Sequence, residues 1–104
     1  MKRFFLSRDA KQDLADIRSY HRNLPPEPAL RIALHIQKAL LSIAEDPFLG
    51  ASDSPLTRLL GQEVRSRLAA PYRIYYRFGA SHPEIIAILH GARDRDTILA
   101  HRLT

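Results

Sequence analysis

The stretch Tyr72-Arg73-Ile74-Tyr75-Tyr76-Arg77-Phe78 and, after a short break, Glu84-Ile85-Ile86-Ala87-Ile88-Leu89-His90-Gly91-Ala92-Arg93-Asp94 decides the fold. In the first segment Tyr72, Ile74, Tyr76 and Phe78 alternate with Arg73, Tyr75 and Arg77, the period of a strand with one buried side. In the second, Ile85 to Leu89 is apolar at both phases, which suits a strand inside a sheet rather than at its edge. The connection Gly79-Ala80-Ser81-His82-Pro83 is short and built from turn residues, so the two strands are predicted to lie antiparallel.

Working outward, Gln62 to Leu68 also alternates: Val64, Ser66 and Leu68 point one way, Glu63, Arg65 and Arg67 the other. Ala70-Pro71 joins it to the next strand, completing a three-stranded antiparallel meander. Upstream the period becomes helical. Ala10, Leu14, Ile17, His21 and Leu24 share one face, with Ser7 placed to cap the helix and Asp9 suited to the positive end of its dipole. Pro25-Pro26 force a turn, and a second helix starts near Glu27. Its residues Ala29, Ile32, Ala33, Ile36, Ala39, Leu40 and Ile43 form a broad apolar stripe. Leu30, Leu34 and Leu41 form a narrower one about a quarter-turn away. Two uses are open for the leucines: packing on the first helix while the broad stripe packs on the sheet, or receiving a protein partner. Asp46-Pro47 stops this helix, and Phe48 to Gly61 reads as a long loop. Arg3 to Leu6 suits a short first strand, and Asp96 to Arg102 a short last helix. The expectation is an α+β fold in one domain, residues 1–104. It comprises an N-terminal strand, a helical hairpin and a three-stranded antiparallel meander, with the helices on one face of the sheet.

Composition narrows the function. Sixteen Lys and Arg against eleven Asp and Glu give a formal net charge of +5. That balance favours anionic partners such as nucleic acid, the ribosome or an acidic protein segment. Cysteine is absent, which excludes disulfides and thiolate chemistry and fits a reducing cytoplasm. Met1-Lys2-Arg3-Phe4-Phe5-Leu6-Ser7 starts like a signal peptide, but its apolar part is only Phe4-Phe5-Leu6, so export is not expected. No apolar run reaches membrane-spanning length, and no membrane partner is expected. The histidines lack metal-ligand spacing and no glycine-rich phosphate loop is present, so no metal, cofactor or small-molecule substrate is expected.

If the apolar side of the meander packs on the helices, its other side carries Arg65, Arg67, Arg73, Tyr75 and Arg77, with Arg93 following at the end of the last strand. Guanidinium forks match phosphate oxygens, and a tyrosine ring among them offers a base a stacking surface. The same charges also serve simply to keep a solvated sheet face from pairing with another. His90 closes the last strand beside Gly91 and Arg93, where it either brackets the turn by a hydrogen bond or carries a proton. Asp94 is placed to anchor that turn.

This order of elements, with the ending His90-Gly91-Ala92-Arg93-Asp94, resembles the RelE/ParE superfamily of small bacterial toxins, the toxin halves of toxin–antitoxin pairs. The resemblance covers nearly the whole chain, and the ending is closer to the ParE branch. It implies poisoning of DNA gyrase by protein–protein contact, without a hydrolytic site, and neutralisation by a cognate antitoxin. The RelE branch instead implies a metal-independent nuclease that cleaves messenger RNA on the ribosome. For that branch Arg65 and Arg67 match the paired basic positions, Arg73 the next-strand arginine and Arg93 the turn arginine. The tyrosine that completes its set falls on Leu99, so Tyr75 or His90 would have to replace it. The binding surface implied for target or antitoxin is Arg65, Arg67, Arg73, Tyr75, Arg77 and Arg93, with Leu30, Leu34 and Leu41 on the second helix. A third reading is a module that binds antitoxin and has lost toxicity.

Overall fold

In the computed structural model, which describes residues 3–91 and 93–103, the chain starts with β1 (Phe5–Leu6), α1 (Arg8–His21) and α2 (Pro26–Glu45). A 3-10 turn (Pro47–Leu49), β2 (Ala51–Ser52) and α3 (Ser54–Leu60) follow. Then come β3 (Arg65–Ala69), β4 (Tyr72–Phe78), β5 (Pro83–His90) and α4 (Arg95–Leu103). The fold is α+β. The sheet runs in the order β1-β5-β4-β3-β2, with β1 parallel to β5 and every other pair antiparallel.

Local chemistry sets the element ends. Ser7 Oγ accepts the Ala10 N–H at 3.1 Å, opening α1, and Asp9 lies in its first turn. Pro26 stands at the start of α2, where its missing N–H costs nothing. The segment expected to be a loop instead holds β2 and α3. Asp53 caps α3 by accepting the Leu56 N–H at 3.0 Å, and Gly61, at a φ of 71°, closes it in the left-handed region that favours glycine.

Helices cover both sides of the sheet, not one. On the first side Ala10 of α1 and Ile36, Ala39, Leu40 and Ile43 of α2 pack on Ile74, Tyr76, Ile85 and Ile88. On the second, Leu56 of α3 and Leu99 of α4 pack on Val64, Tyr75, Ile86, Ala87 and Leu89. This double cover is why β5 reads as apolar at both phases. A bulge opposite Tyr75 and Tyr76 adds a residue to β5. It lets Ile86 and Ala87 both serve the second core while Ile85 and Ile88, three apart, serve the first.

β1 covers only Glu84 and Ile85 of β5, so the outer edge beyond them needs other partners. Asp13 of α1 accepts the Ile88 N–H at 2.9 Å. It also takes a two-pronged guanidinium from Arg102 of α4, at 2.7 and 2.8 Å, and Arg102 donates to the Ile86 carbonyl at 3.0 Å. Asp13 is buried. Its hydrogen bonds to Arg102 outweigh burial and raise the Arg102 pKa, so the guanidinium keeps its charge.

Asp13→Ala leaves a half-buried cation and an unpaired strand N–H. It is expected to cost about 3–5 kcal/mol of stability in urea unfolding monitored by circular dichroism. A loss below about 1 kcal/mol would show that the edge of β5 is held by something else.

Candidate functional site

The strand register separates the arginines that the sequence pattern placed on one surface. Residues directly opposite each other across the ladder share a side. Arg65 faces Tyr76 and Arg67 faces Ile74, so both lie on the side covered by α1 and α2. Arg73 is opposite Leu68, and Tyr75 opposite Ser66, on the side of α3 and α4; Arg77, in phase with them, is opposite Glu84. The single basic face is therefore corrected to two. The error came from β3, where Val64 and Leu68 were matched to the side of Tyr72, Ile74 and Tyr76. Val64 belongs to the second core, and Leu68 is exposed.

Internal acceptors account for most of these guanidiniums. Arg65 donates to the carbonyls of Phe48 and Gly50 at 3.0 and 2.9 Å and to Glu63 at 2.9 Å. It also lies 5.7 Å from the centroids of both Phe48 and Phe78, whose rings stack at 4.8 Å. This arginine fastens the 3-10 turn to the sheet. The turn is closed further by the Tyr76 hydroxyl, which donates to the Pro47 carbonyl. A Cβ at Gly50 would overlap that hydroxyl, which is why glycine stands there. Arg77 holds Glu84 at 2.7 Å and Gln62 at 2.8 Å, and Arg73 holds Ser66 at 3.0 Å.

Tyr75 is buried in the second core, so its ring is not a stacking platform, and burial pushes its hydroxyl pKa up. Leu99, at the position matched to a tyrosine, is fully buried in that same core. His90 is exposed at the end of β5, edge-on to Tyr72 with ring centroids 5.7 Å apart, and its carbonyl accepts the Arg93 N–H at 2.9 Å. Arg93 is exposed. Asp94 accepts from the Thr97 hydroxyl and N–H at 2.8 and 3.3 Å, which anchors the start of α4 and lowers its pKa. Among the described residues no three His, Asp or Glu side chains are placed to hold one metal ion.

A pronounced concave surface lies elsewhere. α1 rests on β5 and α2 on β3 and β4, and between the helices runs a groove of about 680 Å³. Leu14 and Ile17 of α1 meet Ile32, Ile36 and Leu40 of α2 in its lining, with Arg18, Arg22 and Gln37 beside them. His21 also lines it; its Nε2 bonds the Tyr72 hydroxyl at 2.9 Å, while Nδ1 is buried without a partner. The narrow leucine stripe is not covered by α1: Leu30, Leu34 and Leu41 are 61%, 43% and 58% exposed. Leu41 also lines the groove. Sequence reading assigned Leu14, Ile17 and Ile32 to apolar faces. Whether the two helices close on each other depends on their separation, which periodicity does not carry.

The sequence matches the family model described as the ParE toxin of type II toxin–antitoxin systems, parDE, over residues 4–95. Among solved structures, the chain is similar to one described as the chromosomal ParDE TA system from P. aeruginosa. The two are 22% identical, the match covers 86% of this chain and 96% of that one, and the TM-score is 0.64. At that identity the likeness speaks for the fold. Comparison with curated proteins finds no match.

Arg65→Gln is expected to cost about 2 kcal/mol by loosening the two carbonyls it holds. Arg93→Gln, at an exposed position, should stay within about 0.5 kcal/mol; thermal unfolding of both variants compares them. The Asp94 contribution has its own pH signature. A depressed folded pKa gives stability that is present above the unfolded value, near 3.8, and lost as pH falls through the lower folded value. The stability difference between the wild type and Asp94→Ala should therefore shrink below that pH in acid titrations.

Proposed function

The chain belongs to the ParE toxin family of type II toxin–antitoxin systems, and from that premise we propose that it acts in the cytoplasm by poisoning DNA gyrase through protein–protein contact. A cognate antitoxin neutralises it by laying an apolar segment, flanked by acidic residues, into the groove between α1 and α2. The observation that carries the antitoxin reading is the groove itself. It joins apolar side chains to Arg18 and Arg22 and adjoins three exposed leucines, more uncovered apolar surface than a lone domain gains by keeping. A helix with anchors at i, i+3 or i+4 and i+7 fits such a surface, and carboxylates at its flanks meet the arginines. Arg65, with its donors on internal carbonyls, has a structural role and is not an antitoxin contact in this reading.

A non-hydrolytic mechanism is supported by the dispersal of the arginines. RNA cleavage at an internal phosphate needs a base for the 2′-hydroxyl, donors for the phosphorane charge and an acid for the leaving oxygen, all at one place. Arg65 and Arg67 lie on one side of the sheet, Arg73 and Arg77 on the other, and Tyr75 is buried.

Two measurements test the proposal. With purified protein, gyrase supercoiling of a plasmid should fall while messenger RNA on programmed ribosomes stays intact; the reverse result would favour the RelE-like nuclease, and neither effect a silent antitoxin-binding module. Leu41→Asp should weaken antitoxin binding about 30-fold in calorimetry, roughly 2 kcal/mol, with the unfolding midpoint unchanged. Unchanged affinity would move the docking surface away from the groove.

A further inference from the structure

A second concavity, about 420 Å³, opens between α2 and β3, on the same side of the sheet as the groove but lined by different residues. His35, Lys38 and Ser42 line it from α2, at spacings that put them on one flank of the helix, and Arg67 lines it from β3. No carboxylate is among its lining residues. β2 covers β3 only at Arg65 and Ser66, so this pocket lies at the uncovered end of the strand.

Arg67 differs from the other sheet arginines. Arg65, Arg73 and Arg77 have internal acceptors, whereas Arg67 Nη1 is buried with no hydrogen-bond partner. An orphaned donor of this kind costs free energy, more when charged, unless something supplies an acceptor. His35 stands beside it as a wall of the pocket. Its Nδ1 bonds the Ala70 carbonyl at 3.0 Å, so that nitrogen carries the proton and holds the ring in place.

We propose that the Arg67–Lys38–His35 pocket is an oxyanion-binding site, taking a carboxylate or phosphate group. Arg67 supplies a planar fork and Lys38 a mobile charge, with no carboxylate in the lining to compete for either. A small rotation of the Arg67 guanidinium turns its unpartnered nitrogen onto a ligand oxygen, and Ser42, whose hydroxyl donates to the Ala39 carbonyl, becomes a further donor to the ligand when that hydroxyl rotates. The assignment does not depend on gyrase or on an antitoxin.

The test is nuclear magnetic resonance on isotope-labelled protein. It is titrated with sodium phosphate and, separately, sodium acetate, with chloride holding the ionic strength constant. Saturating shifts are expected at the Arg67 side chain, Lys38 and the His35 ring, with a dissociation constant on the order of 1–10 mM for the free ions. A response to phosphate alone assigns a phosphate-bearing ligand; a response to acetate assigns a carboxylate. Lys38→Gln, on an exposed flank of α2, should weaken binding at least about 5-fold, and Arg67→Gln should abolish it. If Arg67→Gln does not fold, Lys38→Gln decides alone. Linear shifts without saturation, or equal binding by Lys38→Gln, would overturn the assignment.

Discussion

Asp13 on α1 accepts the Ile88 N–H and the two-pronged guanidinium of Arg102 on α4, while Arg102 also holds the Ile86 carbonyl. One ionic contact thus ties the first helix, the last helix and β5, the strand that contributes to both cores. Strand β5 needs that tie because β1 is only two residues long and leaves the edge beyond Ile85 without backbone partners. Burying unpaired strand groups there would cost free energy on the scale of whole hydrogen bonds. An apolar replacement for the ion pair would not satisfy the Ile88 N–H, so a carboxylate at position 13 is required by the backbone as much as by Arg102. α4 is short and depends on such anchoring: Leu99 in the second core, Arg102 on Asp13, and Arg95 paired with Asp53 of the α3 cap.

The same anchoring explains the groove. Asp13 holds α1 over β5, whereas the broad apolar stripe of α2 is committed to β3 and β4. Helices fixed to different strands stand apart by the width of the sheet between them, and their facing side chains are left with a channel. Leu14, Ile17 and Ile32 therefore bury only part of their surface. Closing the channel would mean lifting α1 off β5 or rotating the α2 stripe off the sheet, and either exposes apolar surface that the core now buries. The apolar opening is a consequence of what stabilises the fold.

How much of this was legible in the sequence depends on how local the cause is. Ser7 as a cap, the Pro25-Pro26 break, the α2 stripe and the alternation of β4 are near-neighbour effects, and each is found where the pattern put it. The sides of β3 were misread because Arg65, Ser66 and Arg67 are polar at both phases. That left Val64 and Leu68 to decide, and these two have opposite fates. Phe48 to Gly61 looked like loop because α3 is seven residues long with a proline in it. Only the Asp53 cap and Gly61 end marked it. Asp13 gave no signal, since its partners are 75 and 89 residues away.

Net positive charge is consequently a poor guide to where this protein meets an anion. A guanidinium has five donors, and a sheet flanked by turns presents it with carbonyls and carboxylates close at hand. Arg65, Arg77 and Arg102 satisfy themselves internally and act as struts. Their charges contribute to the long-range field but not to a contact surface, because releasing them would strand the groups they hold. What distinguishes a binding arginine is the absence of an internal acceptor, and on that criterion Arg67 stands apart from the arginines that flank it in the sheet. Its partial burial strengthens the point, since solvent does not reach Nη1 to supply the missing acceptor, and interactions there are screened less than on an open surface.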